Sequence, residues 1–141
     1  MLNVTVLCVG TLKEQFLRDA IKEYSKRISG YASLAIKEVK TDRELIPCLP
    51  KKAFKIALCV EGKQLSSEEL ASKLDELPTR GISEIVFVIG DSDGMGEDVK
   101  ASCDLRLSFS KMTFPHQLMR VILLEQIYRA FTIINNGKYH K

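Results

Sequence analysis

The chain has 141 residues, of which 45% are hydrophobic and 28% charged, and its formal net charge is +3. This length fits one domain, and the apolar content excludes a disordered chain. No apolar run approaches the roughly 18 residues that span a bilayer. Residues 1–10 lack the basic leader and cleavage site of a signal peptide. The four cysteines form no CxxC pair and only two histidines occur, so we expect no metal site, no disulfide framework and a cytoplasmic protein.

Hydrophobic patterning predicts alternating strands and helices. In chain order it predicts a strand over 2–9, a helix over 12–28, a strand over 34–39, a short helix over 41–49, a strand over 54–60, a helix from Ser66 to about Leu77, a strand over 85–89, a short helix ending near Ser102, a strand over 105–108 and a long helix over 115–134. This alternation indicates a single α/β domain over residues 1–141, with a mostly parallel sheet flanked by helices.

Three predicted loops follow the carboxyl ends of strands, after Val60, Ile89 and Ser108. Ligands of parallel α/β sheets bind beyond those ends, so we expect the three loops to meet at one cleft. The second loop, residues 90–96, holds three glycines but is neither G-x-G-x-x-G nor a P-loop. Its Asp91 and Asp93 disfavour a phosphate and favour a ligand that carries an amine or sulfonium cation. The alternative is a plain tight turn between strand and helix.

The segment from Ser108 to His116 is dense in backbone donors and acceptors, and its apolar side chains suit an adenine ring. His116 begins the long helix, where it belongs either to the site or to an ordinary helix start. Arg120 lies one turn later and is expected on the same face. Arg129 either belongs to the site or is an i,i+4 partner of Glu125.

The C-terminal part of the chain is basic. Residues 105–141 carry Arg106, Lys111, Arg120, Arg129, Lys138 and Lys141 against Glu125 alone. Such a block indicates either a polyanionic partner or a solvated surface. The last helix is apolar nearly all round, which indicates burial on two sides, with a second subunit or a neighbouring helix on the outer one. Residues 137–141 either stack on RNA bases or fray.

Together these segments resemble the RlmH-type family of SPOUT-class methyltransferases, which methylate N3 of a pseudouridine in large-subunit ribosomal RNA. The resemblance covers the whole chain. Its motifs are the strand 85–89 with Gly90-x-x-x-Gly94, then Leu107-Ser108-x-Ser110-x-Met112-Thr113-x-Pro115-His116, Arg120, Glu125-Gln126-x-Tyr128-Arg129-Ala130 and Tyr139-His140. The chain departs from the family at Cys59, Asp91 and Lys138.

The resemblance implies a trefoil-knotted α/β fold, a homodimer, S-adenosylmethionine as cofactor, no metal, and ribosomal RNA in the large subunit or whole ribosome as substrate. It implies cofactor contacts from Leu58, Gly90, Phe109, Ser110, Lys111, Met112, Thr113 and Phe114. It implies catalytic and substrate-side roles for His116, Arg129, Tyr139 and His140. The alternatives are a non-catalytic RNA- or ribosome-binding protein and a nucleotide-using enzyme on a doubly wound sheet. The missing phosphate motifs disfavour the latter.

Overall fold

The computed structural model describes residues 2–140. It contains a five-stranded sheet in the order β2-β1-β4-β3-β5, and every pairing is parallel. The elements are β1 (Asn3–Val9), α1 (Gln15–Ile28), β2 (Ser33–Val39), β3 (Phe54–Gln64), α2 (Ser67–Glu76), β4 (Glu84–Ile89), α3 (Glu97–Ala101), β5 (Leu105–Ser108) and α4 (His116–Ile134). The predicted single α/β domain with a parallel sheet is confirmed.

Two predicted elements differ from the structure. The predicted helix over 41–49 is two 3-10 turns, Asp42–Glu44 and Ile46–Cys48, because Pro47 supplies no backbone donor to continue a helix. Strand β3 does not end at Val60 but continues to Gln64. The predicted loop after Val60 is therefore part of the strand.

Strand β3 carries a wide bulge between Leu58 and Lys63. Leu58 and Lys63 both pair with Leu107 of β5, so residues 59–62 form an excursion from the ladder. Gly62 permits it, because a Cβ there would lie 2.7 Å from the backbone carbon of Arg106. At the carboxyl end of the sheet, the bulge turns the side chains of Cys59, Val60 and Glu61 away from the core.

The sheet is covered on both faces, as a parallel sheet requires. One face packs against α1, α2 and α4 through a core that includes Ile28, Leu74 and Leu123. The other face is closed by the 3-10 segment and α3 through Leu45 and Val99. Helix α2 begins with a capping box, in which Ser66 accepts from the Glu69 amide at 3.0 Å while Glu69 accepts from the Ser66 amide at 2.8 Å.

Helix α4 ends in a Schellman motif. Asn136 has a positive φ of 57°, the Asn136 amide donates to Ile133, and the Gly137 amide donates to the Thr132 carbonyl at 2.7 Å. This turn reverses the chain and sends residues 138–140 back along the helix. Within residues 2–140, no helix combines the length and hydropathy that a membrane crossing needs.

Candidate active site

A cleft of about 540 Å3 opens where β3, β4 and β5 end, which is the edge predicted from the sequence. Seven of the eight predicted cofactor contacts line it, namely Leu58, Gly90, Phe109, Ser110, Met112, Thr113 and Phe114. Lys111 does not line it, and its side chain is exposed. Ile89, Leu107, Met95 and Met119 add further apolar wall. A cleft with these walls suits a flat aromatic ring.

The bulge of β3 forms one wall of the cleft through Cys59, Val60 and Glu61. Glu61 forms an ion pair with Lys100 of α3, and the hydrogen bond from Lys100 lowers the pKa of the Glu61 carboxyl. The bulge places Cys59, one of the departures from the family, in the cleft wall. Desolvation raises the pKa of its thiol, with Glu61 adding to the shift, so the thiol stays protonated at neutral pH.

The glycine loop after β4 is tightly folded on itself. Gly94, with φ of +99°, closes a turn in which its amide donates to the Asp91 carbonyl at 2.9 Å. A Cβ at Gly90 would lie 2.9 Å from the Cβ of Met95. Gly90 is thus required by the loop itself as well as by a ligand. Asp91 is exposed at the rim of the cleft, where its carboxylate favours a cationic group.

Residues 109–115 form the opposite wall and present backbone to the cleft. The Ser108 hydroxyl donates to the Ser110 carbonyl, and the Ser110 hydroxyl accepts from the Met112 amide, both at 3.0 Å. The amides of Lys111, Thr113 and Phe114 donate to no atom of residues 2–140. Backbone groups left open in this way supply the edge recognition that an adenine ring requires.

His116 lines the cleft at the start of α4, but Arg120 does not share its environment. Arg120 is 1% exposed and forms an ion pair with Glu38 at 2.5 Å and a hydrogen bond to the Gly10 carbonyl at 3.2 Å. The expectation that Arg120 and His116 project together is therefore wrong. Arg120 instead ties the first turns of α4 to the ends of β1 and β2, which fixes the position of His116.

The other three predicted catalytic residues, Arg129, Tyr139 and His140, lie together near the C-terminal end of α4. Arg129 pairs with Glu125 at 3.1 Å, which is the i,i+4 pairing given above as one alternative. Arg129 also contacts Nδ1 of His140 at 3.1 Å. Tyr139 donates to Glu125 at 2.6 Å, and its ring lies 4.8 Å from the Tyr128 ring. We call Glu125, Arg129, Tyr139 and His140 the tail cluster.

The hydrogen bonds of the tail cluster contradict the expectation of a frayed tail, because residues 138–140 fold back on α4 of their own chain. The stacking of the tail on RNA bases stays a prediction. The hydrogen bond to Glu125 raises the pKa of Tyr139 to about 12. His140 Nε2 lies 3.5 Å from a Glu68 carboxylate oxygen at the start of α2. The predicted contribution of Lys141 lies outside the described residues.

The cleft and the tail cluster are far apart within one chain. His116 and Arg129 are 13 positions apart on α4, which corresponds to about 20 Å and to nearly opposite faces at 100° per residue. The sequence therefore predicted members of two groups that one chain does not bring together. It missed Met95, Met119 and Lys100 as cleft residues, since only the fold places them at this edge.

Comparison with known proteins agrees with the geometry. Residues 2–140 match the model of a family described as "Predicted SPOUT methyltransferase". The chain belongs to the SPOUT methyltransferase family. A Fusobacterium nucleatum protein named ribosomal RNA large subunit methyltransferase H is 41% identical, and the match covers 99% of this chain and all of that one. A Methanococcus maripaludis protein that provisionally carries the same name is 46% identical, with 99% and 100% of the two chains covered.

A solved Legionella pneumophila structure, described provisionally as a methyltransferase with bound SAM, shares the fold at a TM-score of 0.53 and 10% identity. The match covers 92% of this chain and 66% of that longer one. Membership of the SPOUT family and its α/β fold, which the resemblance implied, are thereby confirmed. The knotted threading stays a prediction.

Proposed function

We propose that this protein is an S-adenosylmethionine-dependent methyltransferase that acts on N3 of a pseudouridine in large-subunit ribosomal RNA, on the large subunit or the assembled ribosome. One observation carries the proposal. The cleft, at the bulge of β3 and the carboxyl ends of β4 and β5, combines apolar walls with open amides at Thr113 and Phe114. The full-length relatives named as large-subunit RNA methyltransferases support the choice of substrate. Such a substrate places the enzyme in the cytoplasm.

The cleft residues fit the parts of S-adenosylmethionine. Leu58, Leu107 and Phe109 offer apolar contact to the adenine, and the 109–115 backbone offers hydrogen bonds to its edge. The carboxylate of Asp91 lies at the rim, where positive charge on the ligand is favoured, whereas the charge of Glu61 is balanced by Lys100. When bound, S-adenosylmethionine supplies an electrophilic methyl group.

The chain's own task is to align the base with that methyl group and to remove the N3 proton. We assign proton removal to His116, because it lines the cleft and a neutral imidazole has a ring nitrogen that can accept a proton. Arg120 holds the turn that carries His116 and acts through position alone. Alignment of two reactants accounts for a large part of the rate gain in such a transfer.

The proposal includes a homodimer in which each cleft receives the tail of the partner. A second copy is required because the tail cluster and the cleft of one chain lie about 20 Å apart along α4. Arg120 holds the first turns of α4 beside Gly10, which shortly precedes α1. Near the C-terminal ends of the two helices, Arg27 of α1 lies 5.9 Å from the Tyr128 ring of α4. Helices α1 and α4 thus run side by side in one direction.

The first turns of these two helices carry exposed apolar side chains, Phe16 at 67% and Leu118 at 38% exposure. Large apolar side chains grouped on a surface mark an interface. We expect sedimentation to report twice the 15.9 kDa monomer mass at micromolar concentration. A monomer at that concentration would contradict the shared site.

The test of the function is mass mapping of ribosomal RNA from a strain without the gene, followed by methyl transfer to its large subunits and ribosomes with purified protein. The missing methyl group should lie on one pseudouridine, and the protein should restore it. The alternative, a binding protein without catalysis, predicts ribosome binding but no heat of S-adenosylmethionine binding in calorimetry. Intact methylation in the deletion strain would overturn the proposal.

A further inference from the structure

Folding neutralises much of the C-terminal basic block. Arg106 pairs with Glu97, Arg120 with Glu38 and Arg129 with Glu125. Lys111 and Lys138 are the cations of the block that form no ion pair within residues 2–140, with Lys141 outside the described residues. A large RNA substrate needs several phosphate contacts. The block by itself therefore supplies few of them, and other parts of the surface must supply the rest.

A second hollow, of about 500 Å3, concentrates unneutralised positive charge. It is lined by Lys51, Lys52, Lys55, Lys73 and Arg80 around an apolar floor of Phe54, Ile82 and Leu105. We call it the basic groove. The carboxylates that face these five cations are Asp104, which pairs with Lys55 at 3.8 Å, and Glu76, which Lys73 and Arg80 share at 3.7 and 3.8 Å. Five cations against two carboxylates leave an excess of three positive charges.

The turn that presents Lys51 and Lys52 is rigidly built. The ammonium group of Lys55, with a side chain 12% exposed, donates to the carbonyls of Pro50, Lys51 and Ala53 at 3.2, 3.3 and 2.9 Å. Asp104 also accepts from the Lys55 amide at 2.8 Å. The ammonium group of Lys55 thus forms its hydrogen bonds within the turn. Lys51 and Lys52 are exposed and form no ion pair within residues 2–140.

The groove and the cleft lie at opposite ends of the edge strand β5. Leu105 is in the floor of the groove, and Ser108 lines the cleft. Ser108 is three steps along the strand from Leu105, which is about 10 Å. One folded RNA can therefore contact both places at once.

We propose that the basic groove is a second RNA-binding surface that holds phosphates of the ribosomal RNA flanking the target nucleotide. The inference rests on the proposed function, because it assumes a ribosomal RNA substrate. Fixed cations around a concave floor hold a phosphate backbone without reading sequence. The groove accordingly contributes affinity and orientation, and it leaves cofactor binding and base choice to the cleft.

The test compares the double variant K51A/K52A with a control of equal charge loss, K22A/K26A, on the exposed side of α1. Binding to large ribosomal subunits from the deletion strain, and to protein-free RNA extracted from them, is measured at several potassium chloride concentrations. We expect K51A/K52A to weaken binding to both on the order of tenfold at low salt and to reduce the salt slope by about 2. Its cofactor affinity in calorimetry and its melting temperature should match wild type.

Each other outcome decides against the groove. Equal slopes for K51A/K52A and K22A/K26A would mean that charge alone matters and that the groove is no specific surface. A loss seen with subunits but not with free RNA would assign the groove to a ribosomal protein. If wild-type protein binds S-adenosylmethionine and methylates but K51A/K52A is unchanged, the groove proposal alone fails. If wild-type protein binds neither RNA sample, the proposed function fails with it.

Discussion

The cleft and the tail cluster belong to opposite ends of α4 and differ in how their polar groups are satisfied. In the cleft, the amides of Thr113 and Phe114 have no partner in the described chain. In the tail cluster, Glu125 alone accepts from Arg129 and Tyr139. Open backbone groups gain free energy from a ligand, whereas satisfied groups must first give up their own bonds. The cleft of one chain therefore offers donors that no other group of the described chain uses, whereas the polar groups of the tail cluster are already paired with one another.

Removal of the tail should have the largest effect and should separate the role of the tail cluster from that of the cleft. Deletion of residues 138–141 should lower methyl transfer to ribosomes by at least about 100-fold, the lower range for a lost positioning or acid–base group. Cofactor affinity and the dimer should stay nearly unchanged, because the residues expected to contact the cofactor all lie before the tail and none of residues 138–140 lines the cleft of its own chain. Single-turnover transfer and calorimetry measure the two effects, and Lys138→Ala serves as the mild control. A truncated enzyme within a few-fold of wild type would exclude the tail from the site.

The converse change disturbs the cleft alone. Gly90→Ala places a Cβ 2.9 Å from the Met95 side chain, so the loop must move by a few tenths of an ångström. Such overpacking costs about 1–2 kcal/mol, which we expect to appear as roughly tenfold weaker cofactor binding in calorimetry. Gly90→Val should abolish binding. Because the strain falls on the loop itself, the melting temperature should also drop slightly. Unchanged affinity in Gly90→Ala would show that the loop does not shape the site.

The anchor of α4 should affect stability and the cleft, but not the tail. Glu38→Gln leaves the buried Arg120 guanidinium without its counter-charge. Because Glu38 is itself 37% exposed, we expect a loss of about 1–2 kcal/mol rather than the larger cost of a fully buried pair. Urea unfolding measures this loss. Hydrogen exchange should quicken in the first turns of α4 and remain as in wild type around Phe131, and uniform quickening would contradict a local anchor.

The smallest effect concerns the phenol of Tyr139. Its pKa is raised to about 12 by the hydrogen bond to Glu125, so the protonated phenol is the stabilising form. That contribution is present below about pH 10, the ordinary tyrosine value, and is lost as the pH rises through 12. Because Tyr139 is 37% exposed, Tyr139→Phe should cost only a few tenths of a kcal/mol. Urea unfolding at pH 8 and at pH 11.5 should show the difference shrink, and a constant difference would contradict the hydrogen bond.

Sequence reasoning predicted the sheet well because its strands are short apolar runs bounded by glycine and proline, as in residues 85–89. It also predicted the cleft residues, since loops at the carboxyl ends of parallel strands must meet. The resemblance supplied their roles. The bulge at 59–62 could not be predicted, because it depends on the register of β3 against β5, whose residues lie more than 40 positions later.

Long-range ion pairs were equally invisible in the sequence. Arg120 and Glu38 are 82 positions apart, so local spacing suggested a partnership with His116 instead. The fold-back of the tail could not be predicted either, because it depends on the turn that ends α4. The structure shows that Asn136 takes the left-handed conformation and that the Gly137 amide closes the turn. Arg106 and Arg120 looked available because their acidic partners, Glu97 and Glu38, lie outside the C-terminal block.

The bulge of β3 makes one wall of the cleft tolerant of evolutionary change in length. Its two ends, Leu58 and Lys63, share a single partner in β5, so residues inserted or deleted between them leave the register of the sheet unaltered. An ordinary strand has no such freedom, because one added residue reverses every side chain beyond it. Cys59, Val60 and Glu61 thus occupy a segment that can vary in length and composition while the scaffold around it stays constant. Descendants of this fold can adjust the shape of one cleft wall there without rebuilding the core.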